Sequence, residues 1–351
     1  MQPYVRSVVG TLLLLSTTVA RAEGSWEMTA ESEQALQRGL EWLADNQGPE
    51  GNWTSNDLGL VSLGALAFLA AGHAPGRGPY GATTQRALEY VLDHAKPSGL
   101  LNISSDQRDL YNHGLATFVL GQAHGMTTTT DRRLNAVLDR ALKLIVATQC
   151  QDGGWDYRAR SQARGHDLSL AVMQAKALRS AMDSGLDVPP SVVDLAILSV
   201  REHYCPTNGR REAPEREQMQ MAGQFTYSKG GGGGTTAMAA AGVVCLQEFG
   251  QYDDWRIPKN MELIVERVRT IGVPRGRDGT MPFDAYTLYY VGQALYQVNG
   301  DAWRETYPRL RDYLVAAQVH APADPNRHGV WYDRGGRGGG RVGGTPGELF
   351  G

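Results

Sequence analysis

The chain predicts an all-α fold, an α/α toroid of about six helical hairpins with the last one incomplete. Three observations carry that expectation. The first is a turn written twice in nearly the same letters, RGLEWLADNQGPEGNW over 38–53 and RALKLIVATQCQDGGW over 140–155. In each copy a Gln (Gln47, Gln149) stands four residues before a Gly (Gly51, Gly153), and a Trp (Trp53, Trp155) follows two residues later. The second is helical periodicity ahead of each turn, with Leu36, Leu40 and Leu43 in one copy and Leu138, Leu142 and Ile145 in the other. The third is a far more apolar stretch after each turn, DLGLVSLGALAFLAAG and HDLSLAVMQAKALRSAMDSG. Each opens at an Asp that serves as N-cap and closes at Gly72 or Gly185 as C-cap. The unit is helix, Gly-containing turn, helix, and spans about fifty residues.

The first element in chain order is a leader. MQPYVRSVVGTLLLLSTTVARA has one Arg, a short apolar run and Ala20 and Ala22 in an A-x-A arrangement. This reads as a secretory signal cut after Ala22, which leaves residues 23–351 as one toroid domain and places the protein in the periplasm or outside the cell. No later stretch is apolar enough to span a bilayer. At 351 residues and 42% hydrophobic content the chain can bury a large core, and a net charge of −3 gives it no electrostatic reason to bind nucleic acid.

Weaker copies of the unit fill the rest. RALEYVLDHAKPSGLLN keeps Arg86, Tyr90 and Gly99, with Ala95 for the Gln and Leu101 for the Trp. A charged insertion, TNGRREAPEREQMQ, precedes the GQF that ends at Phe225, and RGRDGTM keeps Gly279 with Met281. RLRDYLVAAQVHAPADPNRHGVW restores Gln318, Gly329 and Trp331 around a longer loop. The apolar partners end at Gly125, Gly250 and Gly300. A helix apolar on nearly all sides must be surrounded, so the second helices form an inner ring and the amphipathic first helices an outer one. The turn then has an architectural role. The Gln amide satisfies orphan backbone groups at adjoining helix ends, and the Trp covers that polar contact.

This pattern resembles the QW repeats of squalene and oxidosqualene cyclases and of protein prenyltransferase β subunits. GHAPGRGPYG, YNHGLATFVLGQAHGM and TTAMAAAGVVCLQEFG are more narrowly similar to exported proteins named prenyltransferase/squalene oxidase repeat-containing. The resemblance implies the toroid and no particular reaction. Cyclases of the squalene–hopene type carry an Asp-x-Asp-Asp cluster that this chain lacks; Asp253 and Asp254 in QYDDW fall at the opposite end of the ring. The prenyltransferase zinc motif would need a thiolate where the chain reads Asp284, Ala285, Tyr286.

Parallel second helices gather their N-termini at one mouth of the ring, with Asp57, His113, His166, Asp167 and Asp284. Asp167 and Asp284 are the candidate acid/base pair, and the same residues also serve as plain N-caps. His113 and His166 are candidate ligand contacts or polar rim residues. Tyr286, Tyr289, Tyr290 and Tyr296 form a stripe that reads either as core or as an aromatic face for a hydrophobic, isoprenoid-like ligand. SKGGGGGTTAM lacks the ending of a phosphate loop, and GGRGGGRVGG near the C-terminus reads as loop as well. Asn52-Trp53-Thr54 matches a glycosylation acceptor. No motif calls for a metal or a cofactor. The expected role is an exported toroid that binds a hydrophobic small molecule or a protein partner in its central cavity. The alternatives are a terpenoid cyclase or transferase and a polysaccharide-active enzyme.

Cys150 and Cys205 end first helices of consecutive units and are candidates for a bridge, with Cys245 buried and unpaired. After Trp331 the chain continues YDRGGRGGGRVGGTPGELFG, which has no apolar second helix. The expectation is a ring whose closing contact is lost, with an open inner seam that exposes apolar surface to a partner.

Overall fold

The computed structural model describes residues 26–53, 55–104, 109–126, 131–207, 210–274 and 276–332. The leader, Thr54 of the glycosylation motif and the Gly-rich segment after Tyr332 lie outside the described residues. In chain order the elements are α1 (Ala30–Asp45), α2 (Leu58–Ala70), α3 (Gly81–Asp93), α4 (Asp109–Ala123), α5 (Asp131–Thr148), α6 (Leu168–Asp183) and α7 (Pro190–Glu202). A small excursion follows, with β1 (Tyr204–Pro206), α8 (Glu215–Gln218) and β2 (Gly223–Phe225), and then α9 (Thr236–Glu248), α10 (Arg256–Arg269), α11 (Ala285–Val298) and α12 (Gly300–Ala317). β1 and β2 pair antiparallel with Cys205 opposite Gln224, and they flank the charged insertion of the fourth unit.

The apolar stretches became the inner ring. α2, α4, α6, α9 and α11 pack successively against one another, and α1, α3, α5, α7, α10 and α12 stand outside. Nearly every residue of α9 is buried, because its small side chains let neighbours approach from all sides. Two apolar clusters result, one around α6, α9 and α11 and one around α2, α3 and α4, and Phe118 packs against both. Asp57, Asp167 and Asp284 cap α2, α6 and α11 through Gly59 N, Leu170 N and Thr287 N. The glycines at 72, 125, 185 and 250 end the inner helices at positive φ.

The repeated turn does one job in every full copy. Gln47 Nε2 donates to Gly51 O of its own turn and to Thr83 O on α3, both at 2.9 Å. Gln149 does the same to Gly153 O and to Val192 O on α7. Gln318, at the end of the last outer helix, donates to Gly329 O and to Ala35 O on the first. Each Trp indole donates to the carbonyl four residues before its Gln: Trp53 to Leu43, Trp155 to Ile145 and Trp331 to Leu314. The turn glycine lies against the next outer helix. A Cβ added at Gly51, Gly99, Gly153 or Gly329 would meet the carbonyl oxygen of Arg86, Arg140, Leu195 or Arg38 at 2.3, 2.5, 2.0 and 2.7 Å.

The degenerate copies keep the tie by other means. In the second unit, where Ala95 replaces the Gln, His113 of α4 accepts from Leu101 N and faces Ala141 O on α5. In the fourth, Asn260 of α10 reaches back to Phe225 N, and Phe225 covers Gly242 as Trp53 covers Gly64. In the fifth, Gly279 N donates to Ala317 O of α12.

Two sequence expectations are corrected. The closing contact is not lost, because the outer layer closes on itself. Arg38 Nε donates to Gln318 Oε1 at 2.9 Å and Trp42 Nε1 to Asn326 O at 2.8 Å, while Trp331 packs against Gly39. Among the described residues the inner layer is left with a seam, since α2 and α11 share no extended packing. Cys150 and Cys205 are both free thiols rather than a bridge, because Cys205 leaves α7 on the β1 strand, where its sulfur faces Gly231. Cys245 is buried and unpaired as expected.

Gly153→Ala tests the turn. It combines a left-handed backbone (φ 80°) with a Cβ 2.0 Å from Leu195 O. Urea unfolding is expected to show a loss of about 3 kcal/mol or more. Gly72→Ala shares the positive φ but meets nothing within 4 Å, and should lose only about 1 kcal/mol.

Candidate functional site

Parallel inner helices give the ring two unlike rims. The N-terminal rim holds a polar cluster centred on Asp167, which is 5% exposed. Its Oδ1 accepts from Leu170 N at 3.1 Å, from Ser169 Oγ and, at 3.4 Å, from the Tyr111 hydroxyl. Its Oδ2 accepts from the Tyr157 hydroxyl, which also pairs with the Tyr227 hydroxyl at 2.8 Å. Burial, and secondly the Asp167 carboxylate, push the phenols of Tyr111 and Tyr157 well above the ordinary tyrosine range. Four donors saturate the carboxylate. The network ends at Tyr227, 41% exposed and the one phenol of the three open to solvent to that degree.

The other predicted rim residues separate. His166 lies at this rim, stacked on Tyr157 at 4.3 Å, with Nε2 3.3 Å from Asp156 Oδ1. Asp284 spends one oxygen on Thr287 N and the other on Thr287 Oγ1 at 2.6 Å, and makes no hydrogen bond to the Asp167 cluster. His113 is not at the rim. It is fully buried, Nδ1 accepts from Leu101 N at 3.1 Å, and so Nε2 carries the proton donated to Ala141 O at 3.0 Å. Burial holds its pKa down to about 4. The sequence clue was its unit's missing Gln at Ala95.

The tyrosine stripe splits as well. Tyr290 is wholly buried between Tyr286 and Tyr289, at ring distances of 4.8 and 5.0 Å, whereas Tyr296 is 66% exposed. The hydroxyls of Tyr286, Tyr289 and Tyr290 are buried without a hydrogen-bond partner among the described residues. Such orphans are rare in packed interiors, and each costs the hydration it loses on folding.

The C-terminal rim holds what sequence reading missed. A cavity of about 390 Å³ opens there between α4, α6, α9 and α11, lined by Phe118, Lys176, Asp183, Glu248, Tyr252 and Gln297 among others. Lys176 is 6% exposed, and its Nζ donates to Glu248 Oε1 at 3.0 Å and to Gln293 Oε1 at 2.7 Å. α9 stands between α6 and α11 in the ring, so a bond from Lys176 to Gln293 runs on the lumen side. The ammonium also lies 4.4 Å from the Phe118 ring centre and 6.0 Å from that of Tyr289. Gln297 Nε2 donates to Glu248 Oε1 at 3.0 Å, and Gln297 Oε1 is buried without a partner among the described residues. The clue was a Lys in the middle of the otherwise apolar LSLAVMQAKAL run.

Among the described residues no group of three or more His, Cys, Asp or Glu is placed to share a metal ion, and no helix is long and apolar enough to cross a membrane. No family model matches the chain, and no curated protein does. Among solved structures it is similar to a type II terpene cyclase variant from Scytonema, determined with geranylgeranyl dihydroxybenzoate. The identity is 13%, over 82% of this chain and 97% of that one, with a TM-score of 0.36.

Two predictions follow from the buried groups. Asp167→Asn keeps the cap but removes the charge that the phenols of Tyr111 and Tyr157 serve, so urea unfolding should show a stability loss of about 1–2 kcal/mol. The second concerns pH. His113 and His203 both have folded pKa values lowered from 6.5 to about 4, chiefly by burial. As pH falls through 6.5 the unfolded chain takes up these protons first, so stability declines from there to about 4 and then levels. The full effect is roughly 3 kcal/mol per histidine. His113→Gln should remove about half of that slope in urea midpoints measured across the window.

Proposed function

We propose that this chain is an exported small-molecule-binding toroid whose site is the cavity at the C-terminal rim of its inner helices. The ligand's polar part rests against Lys176, Glu248 and Gln297, and its apolar part against Phe118 and Tyr252. The observation that carries the reading is the Lys176–Glu248 pair, buried to 6% and 11% side-chain exposure at the edge of an open cavity. Two charges taken out of water gain little net stability over apolar residues of the same volume. A role in recognition accounts for them better than a role in folding. Export rests on the leader read in residues 1–22.

A second reading, an enzyme of terpenoid cyclase or transferase type, or one acting on polysaccharide, would employ Asp167 and Asp284 with the face of Tyr286, Tyr289 and Tyr290. The three orphan hydroxyls favour it. The commitment of both carboxylates to caps and to local hydroxyl donors weighs against it.

The test separates binding from folding. Lys176→Met alone strands a buried carboxylate and should cost about 3–5 kcal/mol, whereas Lys176→Met with Glu248→Leu should recover most of that loss. Native mass spectrometry of the parent, purified after export, is expected to show a retained small molecule that the stable double variant lacks. A double variant that retains the same molecule would place binding elsewhere.

A further inference from the structure

Resting on that reading of the cavity, we infer that the C-terminal rim takes a neutral, polyhydroxylated ligand, a polyol or a monosaccharide unit. The hydrogen bonds that Glu248 receives from Lys176 and Gln297 both land on Oε1, which leaves Oε2 for the cavity. Gln297 Oε1 is a second acceptor with no partner among the described residues. Asp183 gives one oxygen to Arg179 Nε at 3.0 Å, which leaves the other as a third acceptor. α4, α6, α9 and α11 all end at this rim and turn the negative ends of their dipoles toward it. The lining is therefore rich in acceptors and asks for a ligand that brings donors.

Charge narrows the class. Lys176 and Arg179 balance Glu248 and Asp183. An organic cation would add a third positive charge to two carboxylates already engaged, with Lys176 as its neighbour. An anion would meet the helix C-termini and both carboxylates. A hydrocarbon would cover Glu248 Oε2 and leave Gln297 Oε1 without a donor, returning no hydrogen bond to either. Hydroxyl groups satisfy all of these at once, since each can donate to the free acceptors and accept from Lys176, whose three N–H groups serve only two hydrogen bonds. Phe118 and Tyr252 line the same cavity and supply apolar surface for the C–H side of such a molecule.

Calorimetry on the whole mature chain with myo-inositol, glucose, putrescine, succinate and geraniol tests the class. The expected result is saturable binding of at least one polyol, weakened ten-fold or more in Gln297→Leu. The unfolding midpoint of that variant should change little, because the lost hydrogen bond to Glu248 is offset by removal of an orphan acceptor, and Gln297→Ala serves if Leu does not pack. Saturation by putrescine, succinate or geraniol without a polyol would overturn the class and leave the cavity standing as a ligand site. Polyol binding that is unaffected in a folded Gln297 variant would overturn the location. No binding of any probe would overturn the inference as well, and the retained molecule sought by mass spectrometry would then decide the cavity by itself.

Discussion

A hydrogen bond from each turn to the next outer helix organises this molecule. The tie runs from the first turn to α3, from the second to α5 by way of His113 of α4, from the third to α7, from the fourth to α10, from the fifth to α12, and from the sixth back to α1. The carbonyls of Thr83, Ala141, Val192 and Ala35 lie within outer helices, so the tie engages their second lone pair, whereas Ala317 O is the last carbonyl of α12. Because every tie points to the following unit, the rotation between units is fixed, and the rotation closes. The circle is complete in the outer layer even though the inner helices α2 and α11 do not pack along their length.

Closure has an electrostatic consequence. Units related by one repeated tie send their inner helices the same way, so the helix dipoles add instead of cancelling. One rim collects N-termini and the carboxylates that cap them, and tyrosine donors have gathered around Asp167 there. The opposite rim collects C-termini, and there the chain has placed its buried ammonium, Lys176. The two rims are suited to different partners for the same physical reason.

Between the rims the lumen wall is neither purely apolar nor purely polar. Tyr286, Tyr289 and Tyr290 present ring surface while burying hydroxyls that the protein leaves unpaired, and Thr117 Oγ1 on α4 and Gln174 Oε1 on α6 share that state. Each such atom loses hydration on folding without recovering it from the chain. Ser199 Oγ on α7 and Arg256 Nε on α10 share the same state, so unpaired buried atoms occur in both layers.

The sequence by itself determined the fold class, the register of the hairpins and the purpose of the Gln–Gly–Trp turn, because these depend on local periodicity, caps and a repeated spacing. Gln47, Gln149 and Gln318 act as their spacing implied. It could not determine which polar residues meet. Asp167 and Asp284 look equivalent as letters, yet only Asp167 is reached by tyrosines from other segments, Tyr111 and Tyr157 directly and Tyr227 through Tyr157. His113 stands near a helix start like a rim residue, but the missing Gln of its unit draws it into the core. Lys176, Glu248, Gln293 and Gln297 are separated by up to 121 positions and come together only because ring closure brings α6, α9 and α11 around one lumen. Local pattern sets which face of a helix is buried; the angle between units decides what that face looks at.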